Sequence, residues 1–259
     1  MAAMRMATEV HLYITGDTPM KAEELPSCLL DLGCGTGLAT RSWLDQLQAS
    51  GQPDPDQLLL VDQAAAMVER ASALLAERHG AVKGVVLDAF RRDATDGLAA
   101  QLPCQGSRLL LSSYALQWSP TPLRVLQQVW APLLRAGDWL AVAVPDATSF
   151  QSLRQALVAA ELPSHLLELP DPQALIGPPA QRALASQFEW VASGSFANAV
   201  PVSSALAYLR HFALIGARPR RSPYSRSQLV RLRRCLDQQL SFGVAELDYH
   251  STWMLLRRL

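Results

Sequence analysis

The stretch Leu29–Gly37, with the sequence L-L-D-L-G-C-G-T-G, determines the fold that we expect for this chain. The apolar residues of Cys28–Gly33 predict a buried strand, and Leu38–Gln48 has the periodicity of a helix. Between them, glycines at alternate positions permit a tight turn whose main-chain N–H groups can approach a ligand. The stretch therefore predicts a ligand site where a buried strand passes into a helix.

The spacing of these glycines argues against a dinucleotide site. Dinucleotide sites have the pattern G-x-G-x-x-G, whereas the residue three positions after Gly35 is Leu38. Asp31, just before the turn, would repel a pyrophosphate but would attract a ligand with a cationic amino group. The alternative is a glycine-rich turn that binds no ligand.

Strand-like apolar runs alternate with helices in the first half of the chain. Continuous apolar strands separated by helices form parallel sheets covered on both faces. The alternation therefore predicts an α/β fold whose ligands bind beyond the carboxyl ends of the strands. The further predicted strands are Leu58–Asp62, Val82–Leu87, Arg108–Ser113 and Asp138–Val144, and the further predicted helices are Ala64–His79 and Thr121–Arg135.

The pattern changes after Pro145. The proline-rich segment Pro163–Pro179 has the composition of a lid or insertion. We expect one domain over residues 1–259, with a cofactor-binding half (1–147), lid and substrate-covering helices with one strand (148–243), and a closing strand (244–259). The elements predicted here are helices at Ser149–Glu161, Ser203–Ile215 and Ser225–Leu240, and strands at Phe188–Val200 and Ala245–Leu256.

Two further acidic residues end predicted strands. Asp62 ends the second strand, where a carboxylate can accept hydrogen bonds from both hydroxyls of a ribose. Gln63 and Met67 would then lie near the nucleoside. Alternatively, Asp62 caps the helix that begins near Ala64.

Asp88 ends the third strand, in V-V-L-D-A-F. Its carboxylate can accept a hydrogen bond from an adenine amino group, with the Ala89 N–H beside it and Phe90 as an apolar wall. The alternative is a solvated loop residue. Three acids at three successive strand ends form a more specific pattern than any one of them.

In their order and spacing, the glycine turn and these acids resemble the class I S-adenosylmethionine-dependent methyltransferases. The resemblance covers the chain up to about Pro145 and implies S-adenosyl-L-methionine as cofactor, a ligand with an ammonium, a sulfonium and no phosphate. It implies a Rossmann-like α/β fold with a mostly parallel seven-stranded sheet, an antiparallel last strand and a helical lid insertion. The cofactor-binding residues implied are Asp31, Gly33, Cys34, Gly35, Gly37, Asp62, Gln63, Met67, Asp88, Ala89 and Ser112.

Later segments resemble one subfamily, the BioC-type malonyl-[acyl-carrier protein] O-methyltransferases of biotin biosynthesis. Leu111–Pro120 resembles the S-N-x-A-x-Q-W segment of these enzymes, and Ser149–Leu157, Leu209–Ala217, Ser225–Leu232 and Leu247–His250 resemble later blocks in the same order. The resemblance implies methyl transfer to the free carboxylate of a malonyl thioester on acyl carrier protein. This reaction is an early step of biotin (pimeloyl) synthesis.

Such a carboxylate is already deprotonated at neutral pH, so we expect no general base and name no catalytic acid or base. Trp118 has a core or lid-anchor aromatic as its alternative interpretation, and His250 a structural histidine. The candidate acceptor-binding residues are Tyr114, Gln117, Trp118, Tyr249 and His250, with Arg210 or His211 as a cation for the carboxylate.

The segment Arg218 to Arg234 contains seven arginines and no acidic residue. It suits either a docking patch for the acidic surface of an acyl carrier protein or a solvated helix face. Nucleic acid is a less suitable partner, because the formal net charge of the chain is zero and Tyr224 is the one aromatic residue of the patch.

The remaining features limit compartment and cofactor class. No apolar run approaches the ~20 residues that cross a bilayer, and the N-terminus lacks a signal-peptide core. We therefore expect a cytoplasmic protein, without membrane contact and monomeric. The scattered cysteines, without a C-x-x-C pair or a histidine at ligand spacing, predict reduced thiols and no metal: Cys28, Cys34, Cys104 and Cys235.

Two further functional hypotheses remain. One is a methyltransferase for another acid, a quinone or an amine, because a fold does not determine the acceptor. The other is a non-catalytic binding protein, because Met1–Glu24 shows no pattern for the Tyr-containing helix that the family resemblance implies before the glycine turn. The cluster of Met1, Met4 and Met6 also leaves a different start open.

Overall fold

The computed structural model of this chain describes residues 8, 25–103, 105–200, 202–214, 224–241 and 247–259. The described residues form two compact units. The first unit comprises residues up to Val144 together with Pro172–Ser195 and Thr252–Leu259, and the second comprises Pro145–Asp171 and Phe196–Ser251.

Seven strands form one sheet in the order β3-β2-β1-β4-β5-β7-β6. Strands β1 to β5 pair in parallel, with Leu30 opposite both Leu59 and Leu110. Strand β7 runs antiparallel to β5, since the Arg258 N–H donates to the Asp138 carbonyl at the start of β5 and the Asp146 N–H donates to the His250 carbonyl at its end. The strands are β1 (Pro26–Leu32), β2 (Gln57–Asp62), β3 (Val82–Val86), β4 (Ser107–Ser113), β5 (Trp139–Pro145), β6 (Phe188–Val200) and β7 (Leu247–Arg258).

The helices of the first unit cover the parallel strands: α1 contacts β1 and β4, and α2 contacts β2 and β3. In the second unit, α9 packs against α5 and α8. The helices are α1 (Leu38–Ala49), α2 (Ala65–Ala76), α3 (Arg92–Ala99), α4 (Pro122–Val125), α5 (Gln151–Ala159), α6 (Pro172–Ile176), α7 (Pro178–Leu184), α8 (Ala205–Leu214) and α9 (Arg226–Ser241).

A buried ion cluster closes the amino end of β4 and β5. Asp138 accepts hydrogen bonds from the main-chain N–H groups of Arg108 and Arg135 at 2.9 and 2.8 Å. The Arg108 guanidinium donates to the carbonyls of Leu133 and Pro103, both at 2.7 Å. Charged groups are therefore tolerated inside this end of the sheet, because each has donors or acceptors of the protein around it.

The helix predicted over Thr121–Arg135 differs from the structure. Regular α-helix extends only over Pro122–Val125, followed by a π-helical turn at Leu126–Trp130 and a 3-10 turn at Ala131–Leu133. Pro132 explains the change, because proline has no N–H for the regular helical hydrogen bond and its ring clashes with the carbonyl four residues earlier.

The other differences concern α3, α6 and α7. Helix α3 was not predicted from the sequence. Pro172 and Pro178 each begin a short helix inside or beside the segment expected to be an irregular lid, because proline is well suited to the first turn of a helix. Pro172–Ser195 also belongs to the first unit, although residues 148–243 were expected to form one covering segment.

Candidate functional site

The centre of the parallel sheet contains the point where the strand order reverses. Strands β1 and β4 lie side by side there, and the chain leaves them towards β2 on one side and β5 on the other. In open α/β sheets, ligands bind at this position, beyond the carboxyl ends of the strands. In the first unit, the glycine turn follows β1 and the segment Tyr114–Trp118 follows β4.

All three glycines of the turn have left-handed backbone conformations. The φ angles are +76° at Gly33, +51° at Gly35 and +80° at Gly37. A Cβ at Gly33 would lie 2.2 Å from the Cβ of Ala115, whereas a Cβ at Gly35 would meet no atom within 4 Å. Gly33 is therefore required for packing against the segment after β4, while Gly35 leaves open space beside the main chain.

Asp31 is a buried carboxylate that the described residues satisfy only in part. It is 1% exposed, and its Oδ2 accepts a hydrogen bond from the Thr40 hydroxyl at 2.7 Å. Its Oδ1 is buried and has no hydrogen-bond partner among the described residues. Burial, and then the nearby charge of Asp62, raise the pKa of Asp31 to about 7, against the lowering effect of Thr40.

Asp62 connects the end of β2 to the glycine turn. Its Oδ2 accepts the Gly35 N–H at 3.0 Å, and its Oδ1 accepts the Ala64 N–H at 2.9 Å. The residue at the N-cap position of α2 is Ala64, so the alternative interpretation of Asp62 as the helix cap is wrong. A carboxylate has about four acceptor positions, so both oxygens can still accept from ribose hydroxyls.

The segment after β3 is fixed by contacts with Trp130. The Asp88 Oδ1 accepts the Phe90 N–H at 3.0 Å. The Ala89 carbonyl accepts the Trp130 Nε1–H at 2.8 Å, and the rings of Phe90 and Trp130 stack with centroids 6.2 Å apart. Asp88 and Ala89 are therefore held in a defined loop, and one oxygen of Asp88 is used inside the loop.

The other predicted cofactor residues differ in exposure. Gln63 is exposed and Met67 is half-buried. Cys34 is buried in the turn, and burial raises the pKa of its thiol. Ser112 is fully buried and its hydroxyl donates to the Leu32 carbonyl at 2.8 Å, so it joins β4 to the end of β1.

The predicted acceptor residues after β4 lie on a strained segment. Tyr114 has a φ of +56°, and its N–H donates to the Ala143 carbonyl of β5 at 2.8 Å. The buried Gln117 side chain donates from Nε2 to the Tyr114 carbonyl at 2.7 Å. Trp118 is 43% exposed, so the alternative interpretation of a core aromatic is wrong, while that of a lid-anchor aromatic stays open.

The predicted acceptor residues of the second unit have varied surroundings. Arg210 is exposed on α8. His211 Nε2 is hydrogen-bonded to the Tyr249 hydroxyl, and burial lowers the pKa of His211, which disfavours it as a cation at neutral pH. His250 is held through its main chain, whose N–H donates to the Ser149 hydroxyl at 3.0 Å.

The arginine patch is only partly described. Arg226, Arg231, Arg233 and Arg234 are exposed on α9, around Val230, which is also exposed. Arg233 lies 3.3 Å from Asp237. Arg218, Arg220 and Arg221 lie outside the described residues, as does Cys104; Cys28, Cys34 and Cys235 are free thiols.

Three contacts of the site were not anticipated from the sequence. Thr40 bonds Asp31, Ala115 fills the space beside Gly33, and Trp130 holds the loop of Ala89. Only Thr40 left a signal in the sequence, a hydroxyl in the first turn of the helix that follows the glycine turn. The other two partners are distant in the chain and belong to ordinary apolar patterns.

Solved structures share the fold of this chain at low sequence identity. A S-adenosylmethionine-dependent methyltransferase from Anabaena variabilis is 13% identical, with a TM-score of 0.58 over 100% of this chain and 86% of that chain. A Bacillus halodurans protein proposed to be a methyltransferase is 13% identical, with a TM-score of 0.54 over 97% of both chains. The [4+2]-cyclase SpnF is 15% identical, with a TM-score of 0.50 over 98% of this chain and 80% of that chain.

No protein-family model and no curated protein matches the sequence. The structural matches confirm the predicted Rossmann-like methyltransferase fold with its mostly parallel seven-stranded sheet. They do not determine the reaction, because the same fold occurs in a cyclase. In the part of the chain that the structure describes, the helices are too short or too polar to span a membrane.

Proposed function

We propose that this chain is a methyltransferase that binds S-adenosyl-L-methionine at the junction of β1 and β4. The observation that carries the proposal is Asp31, a buried carboxylate with one oxygen that lacks a partner, next to a glycine turn with open space at Gly35. No described cation contributes to the electrostatics of Asp31, so a ligand ammonium would supply both the missing donor and the missing charge.

The other groups at this edge fit the remainder of that molecule. Asp62 has acceptor capacity for two ribose hydroxyls, and Asp88 with the Ala89 N–H can hold the adenine edge. The negative charges of Asp31 and Asp62 disfavour a phosphate-bearing ligand. S-adenosyl-L-methionine supplies an electrophilic methyl group on its sulfonium; the protein orients it and excludes water.

A ligand-binding measurement tests the cofactor. Saturating S-adenosyl-L-methionine at a hundred times its Kd should stabilise the protein by about 2.7 kcal/mol. We expect Asp31→Asn to abolish this stabilisation by the ligand. Asp96→Asn, which changes an exposed acid on α3, should preserve it. An absence of any shift in the wild-type protein would refute the proposal.

For the acceptor, we propose the free carboxylate of a malonyl thioester on an acyl carrier protein. The support is the ordered resemblance of the segments from Leu111 onwards to the BioC-type enzymes. Arg210 is the better candidate for the carboxylate-binding cation, because the pKa of His211 is lowered by burial. A deprotonated carboxylate needs no base, so alignment and desolvation would provide the catalysis.

Methyl transfer from radiolabelled cofactor distinguishes the acceptors. We expect a methyl ester on malonyl-acyl carrier protein, and none on the carrier protein with its malonyl group replaced by acetyl. Methylation of a free acid, a quinone or an amine instead of the malonyl carrier would contradict the acceptor proposal while leaving the methyltransferase proposal intact. Cofactor binding without transfer to any of these would favour a non-catalytic protein.

We also propose that the arginines of α9 contact the carrier protein. The charge reversals Arg231→Glu, Arg233→Glu and Arg234→Glu together should raise the KM for the carrier-bound substrate and leave cofactor affinity unchanged. Reversal of three exposed arginines of the first unit, Arg92, Arg124 and Arg182, is the matched control. Equal effects of the two triple variants would refute docking at α9.

A further inference from the structure

We propose that Thr40 is a positioning residue of this site: it holds Asp31 by one carboxylate oxygen and leaves the other oxygen available to the cationic amino group of the ligand. The identity of that ligand rests on the proposed function. The contact between Thr40 and Asp31 does not, because it is a hydrogen bond between two side chains of this chain.

The geometry of the contact favours this role. Thr40 is the third residue of α1 and is fully buried, and its Oγ1 lies 2.7 Å from Asp31 Oδ2. A carboxylate anchored at one oxygen by a rigid, β-branched side chain has little freedom to rotate. The unpartnered Oδ1 is therefore kept in one position before a ligand binds, which reduces the entropy lost on binding.

Thr40 also makes an ionised Asp31 possible in this surrounding. Its hydroxyl and its main-chain N–H both favour the charged carboxylate. Of the titratable groups near Asp31, Asp62 at the end of β2 acts in the opposite direction as a like charge, whereas the thiol of Cys34 in the turn is uncharged at neutral pH because burial raises its pKa. Loss of the hydroxyl should therefore raise the pKa of Asp31 further and weaken ligand binding at neutral pH.

Two variants of Thr40 and one control separate this role from packing. Thr40→Val keeps the shape and the main-chain N–H but removes the hydroxyl, and Thr40→Ser restores the hydroxyl. The control is Thr95→Val on α3, since Thr95 is also a buried threonine, and its hydroxyl donates to the Arg92 carbonyl, away from Asp31.

The first measurement uses the ligand-free protein. The pH dependence of unfolding, compared with that of the same variant carrying Asp31→Asn, reports the titration of Asp31. We expect the midpoint of the Asp31 titration to move to higher pH by about one unit in Thr40→Val, which is about a tenfold change in the proton affinity of Asp31. It should stay at the wild-type value in Thr40→Ser and Thr95→Val.

The second measurement is the affinity for S-adenosylhomocysteine, which carries the same amino group, at pH 6, 7 and 9. In Thr40→Val we expect a loss of affinity of about tenfold at pH 6, about fivefold at pH 7 and almost none at pH 9, because a one-unit rise in the pKa of Asp31 from about 7 lowers its ionised fraction by these factors. Thr40→Ser should bind within about twofold of wild type at all three pH values.

The outcomes are distinct. An unchanged Asp31 midpoint in Thr40→Val overturns the inference, and so does a loss of affinity that is equal at all three pH values. If the wild-type protein binds neither S-adenosylhomocysteine nor S-adenosyl-L-methionine, the proposed function fails, and the ligand-free titration still decides whether Thr40 controls Asp31.

Discussion

The two ends of the parallel sheet each contain a buried aspartate. Only one of these two carboxylates has hydrogen-bond donors on both oxygens and a counter-charge beside it. At the amino end, Asp138 is 2% exposed, accepts two main-chain N–H groups and lies 3.9 Å from the guanidinium groups of both Arg108 and Arg135. At the carboxyl end, Asp31 is 1% exposed, with Thr40 as its hydrogen-bond donor and no described cation.

This difference separates a structural charge from a functional one. A buried carboxylate lowers stability unless donors and a counter-charge surround it. The protein supplies both at Asp138, where they stabilise the start of β4 and β5. At Asp31 it supplies one side-chain donor, the Thr40 hydroxyl, and no described counter-charge, and the glycine turn there gives a ligand access to the main chain. Incomplete satisfaction, rather than burial, marks the candidate site.

We expect the largest effect on stability from removal of the Asp138 carboxylate at the amino end of the sheet. Asp138→Ala leaves the Arg108 guanidinium without its counter-charge in the core and two N–H groups without their acceptor. We expect the free energy of unfolding in urea at pH 7 to fall by about 3–5 kcal/mol. Affinity for S-adenosylhomocysteine, measured on the remaining folded protein, should be unchanged. A fall below about 1 kcal/mol would remove the distinction between the two ends.

Asp31→Asn should raise the free energy of unfolding, whereas Asp138→Ala lowers it, and the gain should depend on pH. Burial raises the pKa of Asp31 from its ordinary 3.8 to about 7. Because the folded-state pKa is the higher one, the wild-type protein loses stability as the pH rises from about 4 to above 7, by up to about 4 kcal/mol.

The Asn variant lacks this loss, although its buried amide has an unsatisfied donor. We expect it to be more stable than the wild-type protein by about 1–3 kcal/mol at pH 8, with no such advantage at pH 4. Urea unfolding at both pH values measures the difference. A constant difference between pH 4 and pH 8 would contradict the raised pKa of Asp31.

Two of the three glycines of the turn, Gly33 and Gly35, allow a sharper comparison within the carboxyl end of the sheet. Gly33→Ala brings a Cβ against Ala115 in a left-handed backbone and should cost about 2–3 kcal/mol of stability. Gly35→Ala meets no atom of the protein, so only the backbone strain, about 1 kcal/mol, remains. Its larger effect should be on ligand affinity, measured by calorimetry. Equal stability losses would contradict the packing role of Gly33.

Ser112→Ala tests whether a predicted ligand residue is structural. The variant removes the hydrogen bond to the Leu32 carbonyl, for which we expect a loss of about 1 kcal/mol in the free energy of unfolding. The affinity for S-adenosylhomocysteine should change less than twofold. A tenfold loss of affinity without a loss of stability would instead support a direct contact with the ligand.

The smallest effect on stability is expected from Trp118→Ala. Because this side chain is 43% exposed, the free energy of unfolding, measured by thermal unfolding, should change by less than about 0.5 kcal/mol. If Trp118 contacts the acceptor, the KM for the acceptor should rise while cofactor affinity is retained. If neither the KM for the acceptor nor the affinity for the cofactor changes, Trp118 is not part of the candidate site.

The sequence was sufficient to predict the parallel part of the fold. Strand β5, W-L-A-V-A-V-P, is continuously apolar, β1 and β4 each have a short apolar run at their centre, and glycines and prolines mark the ends of these strands. Helix α3 was missed because Asp93, Thr95 and Gly97 are poor helix formers, and only Thr95 and Leu98 of its residues are buried. In α3 tertiary contacts decide the structure, and the local sequence does not show them.

The candidate site was predictable where the chain itself brings the residues together. The glycine turn and Asp31 are neighbours in sequence, and Asp62 and Asp88 follow from the alignment of parallel strand ends. The contact of Gly33 with Ala115 and the bond of Ser112 to Leu32 join residues about eighty positions apart. Such contacts depend on side-chain packing, which hydrophobic periodicity does not specify.

The incomplete surroundings of Asp31 also have a consequence for the lifetime of the protein in a cell. A ligand that binds only the folded chain lowers the population of unfolded molecules, which proteases remove. With a buried carboxylate that is uncompensated at neutral pH, the empty chain is the form most exposed to degradation. Its abundance should therefore follow the supply of its ligand, and a pulse-chase under methionine limitation would show a shortened half-life that Asp31→Asn does not share.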